Sequence, residues 1–219
     1  MKHLSLILLL SLVITACENE APNEVPNESI NTSTPAVELI GEKKIDLEKS
    51  KIYWKGYKIM GFHSGTIQLS EGQIDFKDGN ISSGSFTVDM NSVVVSDLMD
   101  AGQEEEEDEE PHDEKAELAE HLMDSDFFDA KQFPKATFVI QKVSLHNKNA
   151  YTITGDMTIK GIQQTLTFDA QLKSNIITAT VSINRTSFGI KYGSGSFFSN
   201  LGDRAIKDEF SLDISLVLL

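Results

Sequence analysis

The chain has 219 residues and a formal net charge of -15, with 34 acids against 19 basic side chains. That balance, with no basic stripe, excludes a nucleic-acid binder, because the surface repels phosphate. One cysteine, Cys17, excludes an intrachain disulfide.

The chain opens MKHLSLILLLSLVITAC. A short polar, basic start is followed by an apolar run from Leu4 to Ile14, then small residues before Cys17. This is the order of a secretory signal, and the run is too short to span a bilayer, which takes about 20 residues. Ile-Thr-Ala-Cys also resembles a bacterial lipobox, in which the cysteine becomes the lipidated first residue of the mature chain. An ordinary signal peptide that leaves a free thiol is the alternative. After Cys17 the composition turns to Asn, Glu, Pro, Ser and Thr, which cannot bury enough surface to offset ordering entropy. The expected organisation is a signal peptide at 1–16, a lipidated Cys17 with a flexible tether at 17–41, and one domain at 42–219.

Within that domain the apolar pattern has period two. KIYWKG, GTIQLS and QIDFKD come first, with turn signals at Glu71-Gly72 and Asp78-Gly79-Asn80. GSFTVDMNS follows, placing Phe86, Val88 and Met90 on one face. Seven acids at 104–110, EEEEDEE, read as a solvated loop, since they lack the spacing and glycine of a calcium loop. Pro111, Asp113 and Glu114 then suit the start of a short helix through Glu117–Met123. HLMDSDFFDAKQFPKATF carries four phenylalanines at a spacing that fits neither a helix nor a strand throughout. Four further strands follow in ATFVIQKV, AYTITGDM, TLTFDAQLK and IITATVSIN, and EFSLDISLVL closes the chain. Asn147-Lys148-Asn149 and Ser174-Asn175 mark turns, and Gly155 and Gly161 permit a turn or bulge around Asp156, Thr158 and Lys160. The absence of a βαβ rhythm argues for eight or nine antiparallel strands, in a sandwich or a closed barrel.

Five blocks carry a resemblance to the YceI-like family of bacterial envelope proteins. They are SKIYWKGYKIMGFHSG, GSFTVDMNSV, HLMDSDFFDAKQFPKATF, YTITGDMTIKG, and NRTSFGI with LGDRAIKDEFSLDISL. The chain departs from the family pattern in its tether, in an acidic insertion at 100–114, and in Met157 where Leu is usual. The resemblance implies an all-β, lipocalin-like antiparallel barrel of about eight strands with one short helix and an apolar cavity. It also implies a non-enzymatic role: binding, carriage or sequestration of a long isoprenoid or acyl-chain lipid in the cell envelope. The alternatives are an interaction domain with no ligand and, less favoured, a lipid hydrolase.

On that reading the inward set that meets ligand includes Trp54, Phe86, Val88, Met90, Phe168, Val181 and Phe188. Phe127 and Phe128 would close the cavity, and Phe138 would lead back into a strand. Phe62 and His63 would stand near the mouth, with His63 either contacting a head group or making a structural hydrogen bond. Arg185 requires a carboxylate partner if buried, with Asp89 and Asp126 as candidates. No cofactor and no metal site is expected beyond the bound lipid. Gly-x-Ser-x-Gly and His-Glu-x-x-His motifs are absent, and His112 and His121 are too far apart for a helical metal pair. The expected location is the bacterial envelope, on a membrane through Cys17. If so, Cys17→Ser should move the protein out of the detergent phase, and unchanged partitioning would contradict lipidation.

Overall fold

The structure, a computed structural model, describes residues 39–100 and 113–219, with the side chains of 98–100 excepted. The expected signal peptide, Cys17, nearly all of the tether, the acidic run and Pro111 lie outside the described residues. The described elements, in order, are β1 (Gly41–Lys44), β2 (Lys51–Lys58), β3 (Gly61–Lys77), β4 (Asn80–Asp100), α1 (Glu114–Met123), β5 (Lys135–Asn147), β6 (Ala150–Ile159), β7 (Ile162–Lys173), β8 (Ile176–Asn184) and β9 (Ile206–Val217). Strands β2 to β9 pair antiparallel in the order β3-β2-β9-β8-β7-β6-β5-β4, and β3 pairs again with β4. The sheet therefore closes into an eight-stranded barrel, with β1 added on the lower half of β3.

Alternation sets which side of each strand faces in. Along β6, Tyr151, Ile153, Gly155, Met157 and Ile159 are buried and the intervening residues are half-buried. Along β7 and β8 the same period buries Ala170, Leu172, Ile177, Val181 and Ile183. Two tight hairpins use consecutive positive φ values, Asp78 (51°) with Gly79 (78°) and Lys160 (50°) with Gly161 (72°), matching the strands' twist. Gly155 is a strand residue outside that turn, and it faces the bulge in β5 between Ile140 and Lys142. A Cβ there would lie 2.4 Å from Cζ of Phe138, so its absence lets that ring cross β6.

Glu71-Gly72 is not a turn. GTIQLS and QIDFK form one long strand, β3, with a register shift between Leu69 and Glu71. Gly72 serves close packing, since a Cβ would stand 2.8 Å from Cγ1 of Ile45. The helix is also shorter than expected. Its cap is Asp113, whose carboxylate accepts the amide of Ala116 at 3.1 Å. The chain then folds through a compact turn in which the amide of Phe128 donates to Leu122 O (3.1 Å) and that of Ala130 to Met123 O (2.9 Å).

The ends of the barrel differ. The β2–β3 and β6–β7 hairpins, α1 and the 185–205 segment gather at the upper end, and the β3–β4 turn and the C-terminus at the lower. Buried side chains form two clusters, one around Met90, Leu122, Phe127 and Phe188 above, the other around Ile45, Ile74, Tyr151 and Leu216 below. Phe138, Phe168, Ala179 and Ile214 pack against both clusters and are themselves only partly buried.

Gly65 sits at a second register shift, where β3 crosses β4. A Cβ there would fall 1.8 Å from Val94 O, the atom that accepts Nε1 of Trp54 at 3.3 Å. Gly65→Ala should cost about 1–3 kcal/mol by overpacking, seen as a lower urea midpoint at unchanged slope. Gly56→Ala, where a Cβ meets nothing within 4 Å, should stay within about 0.5 kcal/mol.

Candidate functional site

The loosely packed middle of the barrel is a cavity in two lobes. The upper lobe, about 110 Å³, is walled by Trp54, Met90, Leu122, Phe127, Phe128 and Phe210, among others. The lower, about 90 Å³, is walled by Phe86, Phe138, Phe168, Val181, Ile214 and their neighbours. Ile52, Val88, Met157, Ile183 and Leu212 border both lobes and form the waist between them. The lower lobe is lined by no charged residue, and the upper reaches only Arg185 and Lys207, at the top. An interior this apolar offers a ligand burial rather than hydrogen bonds.

The phenylalanine-rich stretch closes the upper lobe. Rings of Phe127 and Phe128 meet edge to face at 5.1 Å, and Phe128 meets Phe210 at 6.4 Å. Phe138 continues into the lower lobe, where its centroid lies 6.5 Å from Phe86 and 5.4 Å from Phe168. Phe133 points elsewhere: it packs beside Gly161, where a Cβ would meet its ring at 3.1 Å. Nζ of Lys160 donates to Ser125 O at 2.9 Å, fastening the β6–β7 hairpin to the same stretch.

Nine of the twelve residues expected at the ligand border the cavity: Trp54, Phe86, Val88, Met90, Phe127, Phe128, Phe138, Phe168 and Val181. Three do not. Phe62 pairs with Tyr57, out of phase with the inward Trp54, and its ring lies 3.5 Å beneath Nζ of Lys55. His63 pairs with Gly56 and borders neither lobe. Phe188, 1% exposed, sits in the turn after β8 and serves the upper plug of the barrel. The waist residues Ile52, Met157, Ile183 and Leu212 were absent from the expected set, although strand alternation points each of them inward.

Arg185 organises the rim above this cavity. It is 2% exposed. Its guanidinium donates to the carbonyls of Lys207 (3.0 Å), Ile190 (3.1 Å), Tyr192 (2.7 Å) and Ile206 (3.1 Å). Its carboxylate partner is Asp208, at 3.8 Å, and not Asp89 or Asp126. Asp89 instead accepts the amide of Asn91 at 3.0 Å, and Asp126 is exposed. Asp208 also accepts the hydroxyls of Ser194 (2.6 Å) and Ser196 (2.5 Å). Burial pulls the Arg185 pKa down, and Asp208 opposes that pull. Partial burial raises the Asp208 carboxyl, but the two serine hydroxyls and Arg185 outweigh it and hold the group below 3.8. Among the described residues no cluster of three or more His, Cys, Asp or Glu is placed to hold a metal.

Comparison with known proteins assigns the fold to a family, since the YceI-like domain matches residues 44–218. The chain belongs to the YceI-like family. A UPF0312 protein of Pseudomonas putida is 25% identical over 194 residues, covering 81% of this chain and 86% of its own length. A Staphylococcus aureus UPF0312 protein is 36% identical over 85 residues, 33% of this chain and 46% of its own. Among solved structures, Burkholderia cenocepacia BcnA superposes with a TM-score of 0.60 at 25% identity, covering 79% of this chain and 98% of its own. A polyisoprenoid-binding domain from Saccharophagus degradans superposes at 0.56 with 12% identity, over 82% and 98%, and supports the barrel fold.

The Arg185–Asp208 rim carries a pH dependence of defined sign. A carboxyl with a lowered folded-state pKa stabilises the fold above its unfolded value and stops doing so as pH falls through the folded value. Asp208→Asn should therefore lower the urea midpoint at pH 7, and the gap to the parent should close as pH falls below 3.8. A gap independent of pH would show that the carboxylate charge plays no part.

Proposed function

We propose that the barrel binds a long isoprenoid or acyl chain and carries or sequesters it in the bacterial cell envelope, held to a membrane through Cys17. The observation that carries this reading is the pair of apolar lobes joined at Val88, Met157 and Leu212. Well-packed interiors leave few voids larger than a water molecule. Here inward side chains such as Phe86, Val88, Phe168 and Leu212 stay partly exposed. Each methylene placed against them gains about 0.8 kcal/mol. The lobes as they stand take part of a chain, and the flexible side chains of Met90 and Met157 at their borders can yield to admit more. That the Saccharophagus degradans domain of the same fold is a polyisoprenoid-binding domain is consistent with this reading.

The competing reading, an interaction domain with a filled interior, is disfavoured by the lobes. The hydrolase reading has no support from the one Thr/His/Asp grouping that the hydrogen bonds show among the described residues. On the outer wall, Thr152 Oγ1 lies between His146 Nε2 and Asp169 Oδ1, so the carboxylate contacts the hydroxyl and not the imidazole.

Val88 at the waist separates the first two readings. In a filled core Val88→Phe overpacks and costs about 1–3 kcal/mol. In a ligand barrel the delipidated variant should keep or raise its melting temperature and take up less fluorescent fatty acid or isoprenoid. An organic extract of purified parent protein should contain a long-chain lipid by mass spectrometry. A destabilised variant, from a parent that holds and takes up no lipid, would reject carriage.

A further inference from the structure

Two apolar tips protrude from the upper rim of the barrel. One is the β2–β3 hairpin, with Ile59 56% and Met60 52% exposed. The other is the loop before β9, with Phe197 49% and Phe198 51% exposed. They are physically linked. Lys58 pairs with Ile206, Ile206 bridges to Ser194, and the amides of Phe197 and Phe198 donate to Ser194 O at 3.1 and 3.0 Å. Ser194 is wholly buried and fixed by Asp208, so the loop is held on the rim.

Lysines lie across aromatic rings beside both tips. Nζ of Lys55 stands 3.5 Å from the Phe62 centroid and 5.7 Å from that of Tyr57. Lys207 stands 5.6 Å from the Tyr57 ring, and Lys191 4.6 Å from that of Phe197. The β2–β3 hairpin carries Lys55 and Lys58, with no acid between Lys51 and Ser64, in a chain of net charge -15. Of the carboxylates on this rim, Asp208 is compensated by Arg185 at 3.8 Å, while Asp97 and Glu209 accept from the neutral Ser64 (3.1 Å) and Asn184 (3.3 Å) and keep their charge. Exposed Asp203, and Glu114 and Glu120 on α1, oppose this charge at the same end. Exposed apolar tips with lysine ammonium groups over the adjoining aromatic rings suit a bilayer interface, where apolar side chains enter the acyl region and lysines reach the phosphates.

We propose that this rim docks on a lipid bilayer, with Ile59, Met60, Phe197 and Phe198 inserted and Lys55, Lys191 and Lys207 at the head-group phosphates. The upper lobe, whose lining extends to Gly56, Ile206 and Lys207, then opens toward the membrane. A lipid could pass between bilayer and barrel without crossing water. Docking does not depend on what the cavity holds, so it can fail while carriage stands.

The test uses the full chain with Cys17→Ser, so that one introduced thiol carries a polarity-sensitive fluorophore. Met60→Cys labels the rim, and Lys148→Cys labels the exposed β5–β6 turn at the opposite end. Vesicles contain equal parts of phosphatidylcholine and phosphatidylglycerol. The expected result is a blue shift at position 60 and none at 148. Adding Lys55→Glu with Lys207→Glu should weaken vesicle affinity about tenfold or more. No shift at 60, an equal shift at 148, or a shift indifferent to charge reversal would overturn the proposal. A concentration-dependent shift at 60 without vesicles would also overturn it, and would assign the rim to a second copy of this chain.

Discussion

The pairing of β3 with β4 is the constraint on which the rest of the structure depends. It joins the two ends of an eight-strand sheet, from Gly61 opposite Asp100 down to Lys77 opposite Asn80. Closure of eight strands encloses a space that side chains can just fill, or that one small ligand can occupy. Which outcome follows is decided by side-chain size and by how the ends are plugged. Here bulky plugs form at both ends, and the middle is left to residues such as Phe138, Phe168, Ala179 and Ile214, which pack against both plugs yet stay only partly buried.

The register shifts in β3 show how closure is achieved. At Gly65 and near Gly72 the strand bends, and glycine allows Val94 and Ile45 to approach where a Cβ could not stand. Trp54 on β2 lines the upper lobe and Phe86 on β4 the lower. Closure is incomplete beyond Ala170, where β7 stops pairing with β8. The turn Arg185–Phe188 fills that gap, and Nε2 of Gln164 on β7 donates to Ser187 O at 3.0 Å. Arg185 is thus a structural hub: it gathers the carbonyls of β9 and of the loop before it into one rim, and Asp208 keeps its charge compensated.

Much of this architecture was legible in the sequence, because period-two alternation depends only on neighbours along one strand. The strands from ATFVIQKV to EFSLDISLVL follow their pattern closely. Errors arose where a distant partner decides. Glu71-Gly72 reads locally as a turn, but Ile45 packs against it and keeps it in a strand. GEKK carries no apolar pattern, so β1 is invisible until β3 offers it an edge. Phe62 looks like a mouth residue, yet the Ile59–Met60 turn fixes a register that turns it outward. Asp208 as the partner of Arg185 follows from the β8–β9 geometry and from no local motif. The volume of the cavity, set by strand tilt and closure together, has no signature in a single chain.

The central claim is that the interior is a binding site for an apolar chain. Trp54, the only tryptophan, borders the upper lobe, so occupancy can be read directly by energy transfer to a conjugated polyene fatty acid. Titration of delipidated protein should quench Trp54 in a saturable way that ends at one probe per chain. Absence of quenching, or quenching that rises without saturation, would contradict the account.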